Sequence, residues 1–214
     1  KMSFPLWDWE AKRFKKWQQE VNIDAKIKPS RAILDLNTNK AIIVTYFMDS
    51  DACPFLKDKK CLIYHAKRAY ICRLFPFNRG PFLETGEKPK KENMFGTCCG
   101  MKALMPSIPE NYNNMVTFLS KAFPDGSFEN AVQFDFITEY VNKTIIGLMK
   151  KKLIRPAMNY PYDFFLKRFQ NAEKIDFTDF LEQSEYIESK EELINQFDEN
   201  INAKKQINEF LQQI

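Results

Sequence analysis

The chain reads Ala32-Ile33-Leu34-Asp35-Leu36, then Asn37-Thr38-Asn39-Lys40, then Ala41-Ile42-Ile43-Val44-Thr45-Tyr46-Phe47. Two runs rich in β-branched and aromatic residues flank a polar Asn/Thr turn, the pattern of a β-hairpin. Upstream, Leu6 to Val21 carries Phe14, Trp17 and Val21 at helical spacing with Ala11 on the same side, which predicts an amphipathic helix. Asp8 is placed as its N-cap, and Lys28-Pro29-Ser30 as its break. Downstream, the hairpin delivers the chain directly to Cys53.

All five cysteines of the 214-residue chain come next: Cys53-x7-Cys61-x10-Cys72, then the adjacent pair Cys98-Cys99. Within this region His65 to Leu74 is expected to form a short helix ending before Pro76. Residues 78–97 lack periodicity and are rich in Gly, Pro, Lys and Glu, which reads as a loop. After Pro106 the pattern turns helical. Tyr112, Met115, Val116, Leu119 and Phe123 share one face, and Pro124-Asp125-Gly126 makes a turn. A long helix is expected over about 128–152, then helices from Tyr162 to Phe169 and from Phe177 to Leu181. The last runs from about Lys190 to Ile214, with Phe197, Ile201, Ile207, Leu211 and Ile214 in its apolar stripe and Ser189 and Glu192 as a capping box. The expected fold class is α+β: a small β-hairpin and cysteine-cluster metal site (1–106), then a mainly helical half packed on it (107–214).

Clustered thiols point to a shared site: a metal, an iron–sulfur cluster or a disulfide framework. The chain has a single histidine, so any first coordination shell is mostly sulfur. Sulfur ligation suits zinc, iron–sulfur or Cu(I) and excludes Mg²⁺ and Ca²⁺. The Cys-x2-4-Cys knuckles of common structural zinc sites are missing, which favours an iron–sulfur cluster over zinc. The bland alternative is a set of buried structural thiols. It weighs more for Cys98-Cys99, where one thiol can bind while the other packs. His65 reads as an ordinary helix-start residue rather than a fourth ligand. Tyr64 is expected to pack, and Arg73 to offset the charge of a sulfur cage together with Lys59, Lys60, Lys67 and Arg68.

The stretch Cys53-Pro54-Phe55-Leu56, Cys61-Leu62-Ile63-Tyr64, Cys72-Arg73-Leu74-Phe75-Pro76-Phe77 resembles the zinc- or iron-chelating cysteine-cluster family of the YkgJ type. That family's pattern is C-x-[FL]-L, a polar turn, C-x-I-Y, an Arg-Pro step and C-R-x-[FY]-P, with a later C-x-G that Cys98-Cys99-Gly100 matches. Arg68-Ala69 stands where the family has Arg-Pro, and the gap from Cys61 to Cys72 is one residue longer. The family also carries an upstream C-x2-C-x2-3-C-C motif, and Phe4-Pro5-Leu6 and Glu10 resemble the residues just after it. The natural protein is therefore expected to extend upstream of Lys1 and to carry that motif there. The resemblance covers roughly the first half. It implies a bound iron–sulfur cluster, of the 4Fe-4S kind, or zinc. The candidate ligands are Cys53, Cys61, Cys72 and Cys98, with Cys99 as the further metal candidate.

Three functions are expected, in descending order. The first is a metal-organised module for partner binding or assembly, the partner being another protein. The alternative is an enzyme, either iron–sulfur redox or like a protein-lysine methylase; no catalytic residue is assigned. The weakest is association with nucleic acid through Lys57 to Arg79, because basic and acidic residues, 32 and 28, are mixed along the chain for a net charge of +4. The chain lacks the GxGxxG and GxxxxGK[ST] phosphate loops. No segment approaches the roughly 18–20 apolar residues of a membrane helix. An odd cysteine count without a visible signal peptide suggests a reducing compartment, read as cytoplasmic.

Overall fold

In a computed structural model of the chain, residues 5–66, 68–83, 90–96, 99–158 and 160–213 are described. They fall into two compact units. The first takes the chain up to Ala69 and Thr144–Glu191; the second takes Tyr70–Lys143 and Glu192 onward. The fold is α+β, as the hairpin and helical periods imply.

In the first unit the β-rich stretch forms strands β2 (Lys26–Leu34) and β3 (Lys40–Asp49), paired antiparallel with Leu34 opposite Ala41 and Ile33 opposite Ile42. Ala41, Ile42, Ile43 and Val44 are all buried, because β3 is central and covered on both faces. β2 lies along one edge of β3. The other edge is shared by β1 (Pro5–Trp7), antiparallel, and β6 (Glu173–Asp176), parallel. The sheet therefore has four strands, two more than the hairpin read from sequence. Pro29, placed at the break of the first helix, instead lies inside β2, and the helix ends earlier, at Glu20. An edge strand tolerates a residue with no N–H, and the register shifts there, around Pro29 and Arg31.

The turn is organised by Asp35, which is fully buried. One of its carboxylate oxygens accepts from the backbone of Asn37 and Arg155, at 3.1 and 2.7 Å. The other accepts from the backbone and hydroxyl of Thr38, at 3.0 and 2.7 Å. Helix α1 spans Asp8–Glu20 and buries Trp9, Ala11 and Phe14. Its N-cap is Trp7, not Asp8; the Trp7 N–H donates to Glu10. Helix α7 (Tyr162–Asn171) sets Phe165 and Phe169 against Leu34, Ala41 and Ile43. Helix α8 (Phe177–Gln183) comes directly after β6.

The second unit is helical. It contains α2 (Tyr70–Arg73), α3 (Lys91–Met94), α4 (Cys99–Leu104), α5 (Tyr112–Ala122) and α10 (Ile201–Gln212). Residues 127–143 of the long α6 (Ser127–Lys150) and 192–198 of α9 (Lys190–Asp198) also belong to it. Phe77, Met94, Met115, Val116, Leu119, Phe128 and Val132 form its core. The short helix expected over 65–74 is confined to α2, and residues 78–97, read as a loop, include α3. The last helix is not continuous. Asn200 sits in the left-handed region at φ 53° and divides α9 from α10. Ile201, assigned to the buried stripe, is half exposed as a result, while Phe197 is buried and Ile214 lies outside the described residues. Among the described residues no helix is long and apolar enough to cross a membrane.

Candidate metal centre

Cys53 and Cys61 flank a minimal hairpin in the first unit. Cys53-Pro54-Phe55-Leu56 closes a turn in which the Leu56 N–H donates to the Cys53 carbonyl at 3.0 Å; proline is at home in its second position. Strands β4 (Leu56–Lys57) and β5 (Lys60–Cys61) then pair, with Leu56 opposite Cys61. Asp58 and Lys59 between them both have positive φ, 50° and 62°, as a two-residue type I′ connection demands. Phe55 is fully buried and meets Phe14 edge-on, with centroids 5.2 Å apart. That ring anchors the base of the hairpin, so the two thiols are carried by a fixed backbone rather than by an open loop. Both are half-buried and free of disulfide.

Cys72 lies in α2 of the second unit and is also half-buried. Beyond it, Phe77 pairs with Phe95 as an isolated bridge. The Asn78 N–H donates to the Met94 carbonyl at 2.7 Å, and the Gly96 N–H to the Pro76 carbonyl at 2.9 Å. The chain two residues before Cys98 is thereby fastened to the chain four residues after Cys72. Cys98 itself lies outside the described residues, and Cys99 is described only as the first residue of α4. Among the described residues no group of three or more Cys, His, Asp or Glu side chains is arranged to hold a metal ion.

Arg73, next to Cys72, is nearly buried. Its guanidinium lies 4.0 Å from the centroid of the Tyr70 ring, and Nη2 is 3.8 Å from Asp198 Oδ1. The expected counter-charge thus has a carboxylate and an aromatic face beside it. Nε and Nη2 are nonetheless buried without a hydrogen-bond acceptor among the described residues. Tyr64, expected to pack, is 59% exposed; Arg68 lies 4.4 Å over its ring and His65 meets it edge-on. His65 is exposed and lies in a turn; α2 begins only at Tyr70, so His65 does not start a helix as expected. Lys67 is outside the described residues.

The first unit also holds a polar cluster that no sequence motif announces. Asp8 Oδ2 accepts from the backbone and hydroxyl of Thr178, Tyr46 donates to Asp176 at 2.5 Å, and Lys12 bridges Asp176 and Asp179 at 3.0 and 2.8 Å. Lys190 reaches Asp179 from the other side at 2.9 Å. Burial pushes the Asp8 carboxyl up to about 7, against the lowering effect of its Thr178 hydrogen bonds. Burial and then Asp176 push the Tyr46 hydroxyl up as well. Spacing along the chain does not flag this cluster, because its members come from several separate elements.

Compared with protein-family models, with curated proteins and with solved structures, the chain finds no match in any of the three.

Proposed function

We propose that the chain is a cysteine-cluster metal protein of the YkgJ kind, in which Cys53, Cys61, Cys72 and Cys98 ligate an iron–sulfur cluster, with zinc as the alternative metal. The observation that carries the reading is Arg73. A nearly buried guanidinium, beside Asp198 yet with Nε and Nη2 lacking a hydrogen-bond acceptor among the described residues and one residue from a candidate ligand, is what a thiolate centre would satisfy, since sulfur ligands take hydrogen bonds and counter-charge from around them. The donor chemistry agrees: half-buried thiols, two of them flanking a tight hairpin, suit a sulfur-loving metal. The metal's role in this proposal is to organise the fold for a protein partner. Binding energies of about 10–16 kcal/mol at structural zinc sites match or exceed a whole domain's stability of about 5–15 kcal/mol.

The test is anaerobic purification with iron, sulfide and zinc analysis and a visible spectrum. A brown protein with matching iron and sulfide supports the cluster; a colourless one with one zinc per chain supports the alternative. Single Cys→Ser variants at 53, 61, 72 and 98 should each lose metal and melt at lower temperature. Metal-free wild-type protein whose melting is unaffected by these four changes defeats the proposal.

A further inference from the structure

Helix α7 carries two aromatic faces, and the core uses one. Phe165 and Phe169 pack inward against Leu34, Ala41 and Ile43. On another side Tyr160 stacks on Phe164, with centroids 4.5 Å apart and planes 17° apart, and the Arg168 guanidinium lies 5.3 Å over Phe164. Phe164 and Arg168 lie one turn apart on α7, and Tyr160, in the chain just before the helix, extends them into a column. Tyr160 at its head is 47% exposed. At the foot, Arg168 Nη1 donates to Asn39 Oδ1 at 2.7 Å, so the guanidinium is held in place at the hairpin turn between β2 and β3.

Beside the column opens a cleft of about 430 Å³ lined by Asn39, Phe164, Lys167, Arg168 and Asn171. Two of these carry positive charge and none carries negative. Lys167 forms no ion pair with any described residue. Exposed apolar surface beside a polar rim marks interaction sites. Tyrosine, phenylalanine and arginine are the residues enriched at the centre of protein interfaces.

We infer that this face of α7 is a docking site for an acidic segment of another protein, one that presents an aromatic or aliphatic side chain to Tyr160 and carboxylates to Lys167 and Arg168. Charge complementarity selects the acidic partner. Single-stranded nucleic acid fits less well. It needs successive open ring faces for its bases, and here the rings stack on one another and carry the guanidinium. The inference stands independently of the metal proposal, since none of its residues is a candidate ligand.

The experiment is fluorescence anisotropy on the full chain. The probe is a labelled synthetic peptide of Asp and Glu residues around a Phe-Leu pair. The controls are the same peptide with Ala-Ala at the centre, its Lys-for-acid counterpart, and an oligothymidine of equal charge. Saturable binding of the first peptide, with the controls weaker, is expected. Lys167→Glu should weaken it roughly fivefold or more, and Tyr160→Ala roughly tenfold, as losses of a rim charge and an anchor ring do. Both residues are on the surface, and unchanged melting would show that the fold survives; Lys167→Gln, with a smaller loss in the same direction, checks the charge effect in a milder variant. No saturable binding by wild type, equal binding by the variants, or tighter binding of the oligothymidine would each overturn the inference.

Discussion

Asp8, the first residue of α1, caps a helix that is not its own. Its Oδ2 accepts the backbone N–H of Thr178 at 2.8 Å and the Thr178 hydroxyl at 2.7 Å, across 170 positions of sequence. Thr178 is the second residue of α8, whose first-turn N–H groups have no partner within the helix. A carboxylate there meets both those donors and the positive end of the helix dipole. The arrangement ties the start of the chain to α8, and the tie is wholly buried.

Because burial raises the Asp8 carboxyl from 3.8 to about 7, the folded state holds its proton more tightly than the unfolded chain. Its contribution is complete below about pH 4 and is lost as pH rises through about 7. Asp176 raises the carboxyl further and Lys12 opposes it. Asp8→Asn cannot ionise. Stability measured by urea unfolding between pH 4 and 8 should fall for wild type relative to Asp8→Asn, by up to about 4 kcal/mol across three pH units. Parallel profiles for the two proteins would show that Asp8 does not titrate in this range.

In the second unit Gly80 is required by a close approach. A Cβ there would stand 2.9 Å from both the Ala131 carbonyl oxygen and Asp135 Oδ2. The first is helix backbone and cannot yield. The Gly80 N–H donates to Asp135 Oδ1 and the Leu83 N–H to Oδ2, both at 3.1 Å. Gly80→Ala should therefore cost about 1–3 kcal/mol, the range of overpacking, seen as a lower urea midpoint with an unchanged slope. Burial raises Asp135 to about 6. Its own effect has the same sign as that of Asp8, stabilising below about pH 4 and fading through pH 6.

The β2–β3 pair is legible in the sequence because one continuous apolar run, Ala41 to Val44, has a single solution, a strand covered on both faces. β6 is not: Glu173-Lys174-Ile175-Asp176 holds one apolar residue, and only pairing with Lys40–Ile43 makes it a strand. Asp35 and Asp8 are opaque for a related reason. Each sits among apolar residues: Asp8 is explained by the distant donor Thr178, and Asp35 adds the distant Arg155 to its local bonds with Asn37 and Thr38. The thiol spacing is plain in the sequence. The hairpin that carries Cys53 and Cys61 depends on both Asp58 and Lys59 entering positive φ; aspartate favours that region among non-glycine residues, but lysine does not advertise it.

That connection yields a stabilising change. Lys59 adopts φ 62°, a conformation that costs an L residue roughly 1 kcal/mol and glycine almost nothing. Lys59→Gly should raise stability by a few tenths to about 1 kcal/mol, the gain being reduced by glycine's freedom in the unfolded chain. By contrast, Phe55→Ala removes the fully buried ring under the same hairpin and should cost about 3–5 kcal/mol. Thermal melting of both variants checks the pair. A destabilising Lys59→Gly would mean that the lysine side chain itself holds the turn.

Asn200 joins backbone and side-chain demands at one position, and three substitutions separate them. Its backbone is left-handed, at φ 53° and ψ 32°. Its amide Nδ2 donates to Glu129 Oε1 and Asn130 Oδ1, both at 3.1 Å, and its Oδ1 lies 3.3 Å from the Tyr70 hydroxyl. Tyr70 is fully buried, and that hydroxyl also donates to the Phe197 carbonyl. Asn200→Gly keeps the backbone and deletes the three bonds; at about 0.5–1.5 kcal/mol per net hydrogen bond it should cost about 1.5–4.5 kcal/mol. Asn200→Ala deletes the bonds and strains the backbone as well, so it should cost about 1 kcal/mol more than the glycine variant. Asn200→Asp keeps an acceptor for Tyr70 but sets a carboxylate against Glu129; its deficit should shrink as pH falls and either carboxyl is protonated. Equal losses for Gly and Ala would assign the break between α9 and α10 to the side-chain bonds alone. A neutral Asn200→Gly would assign it to the backbone.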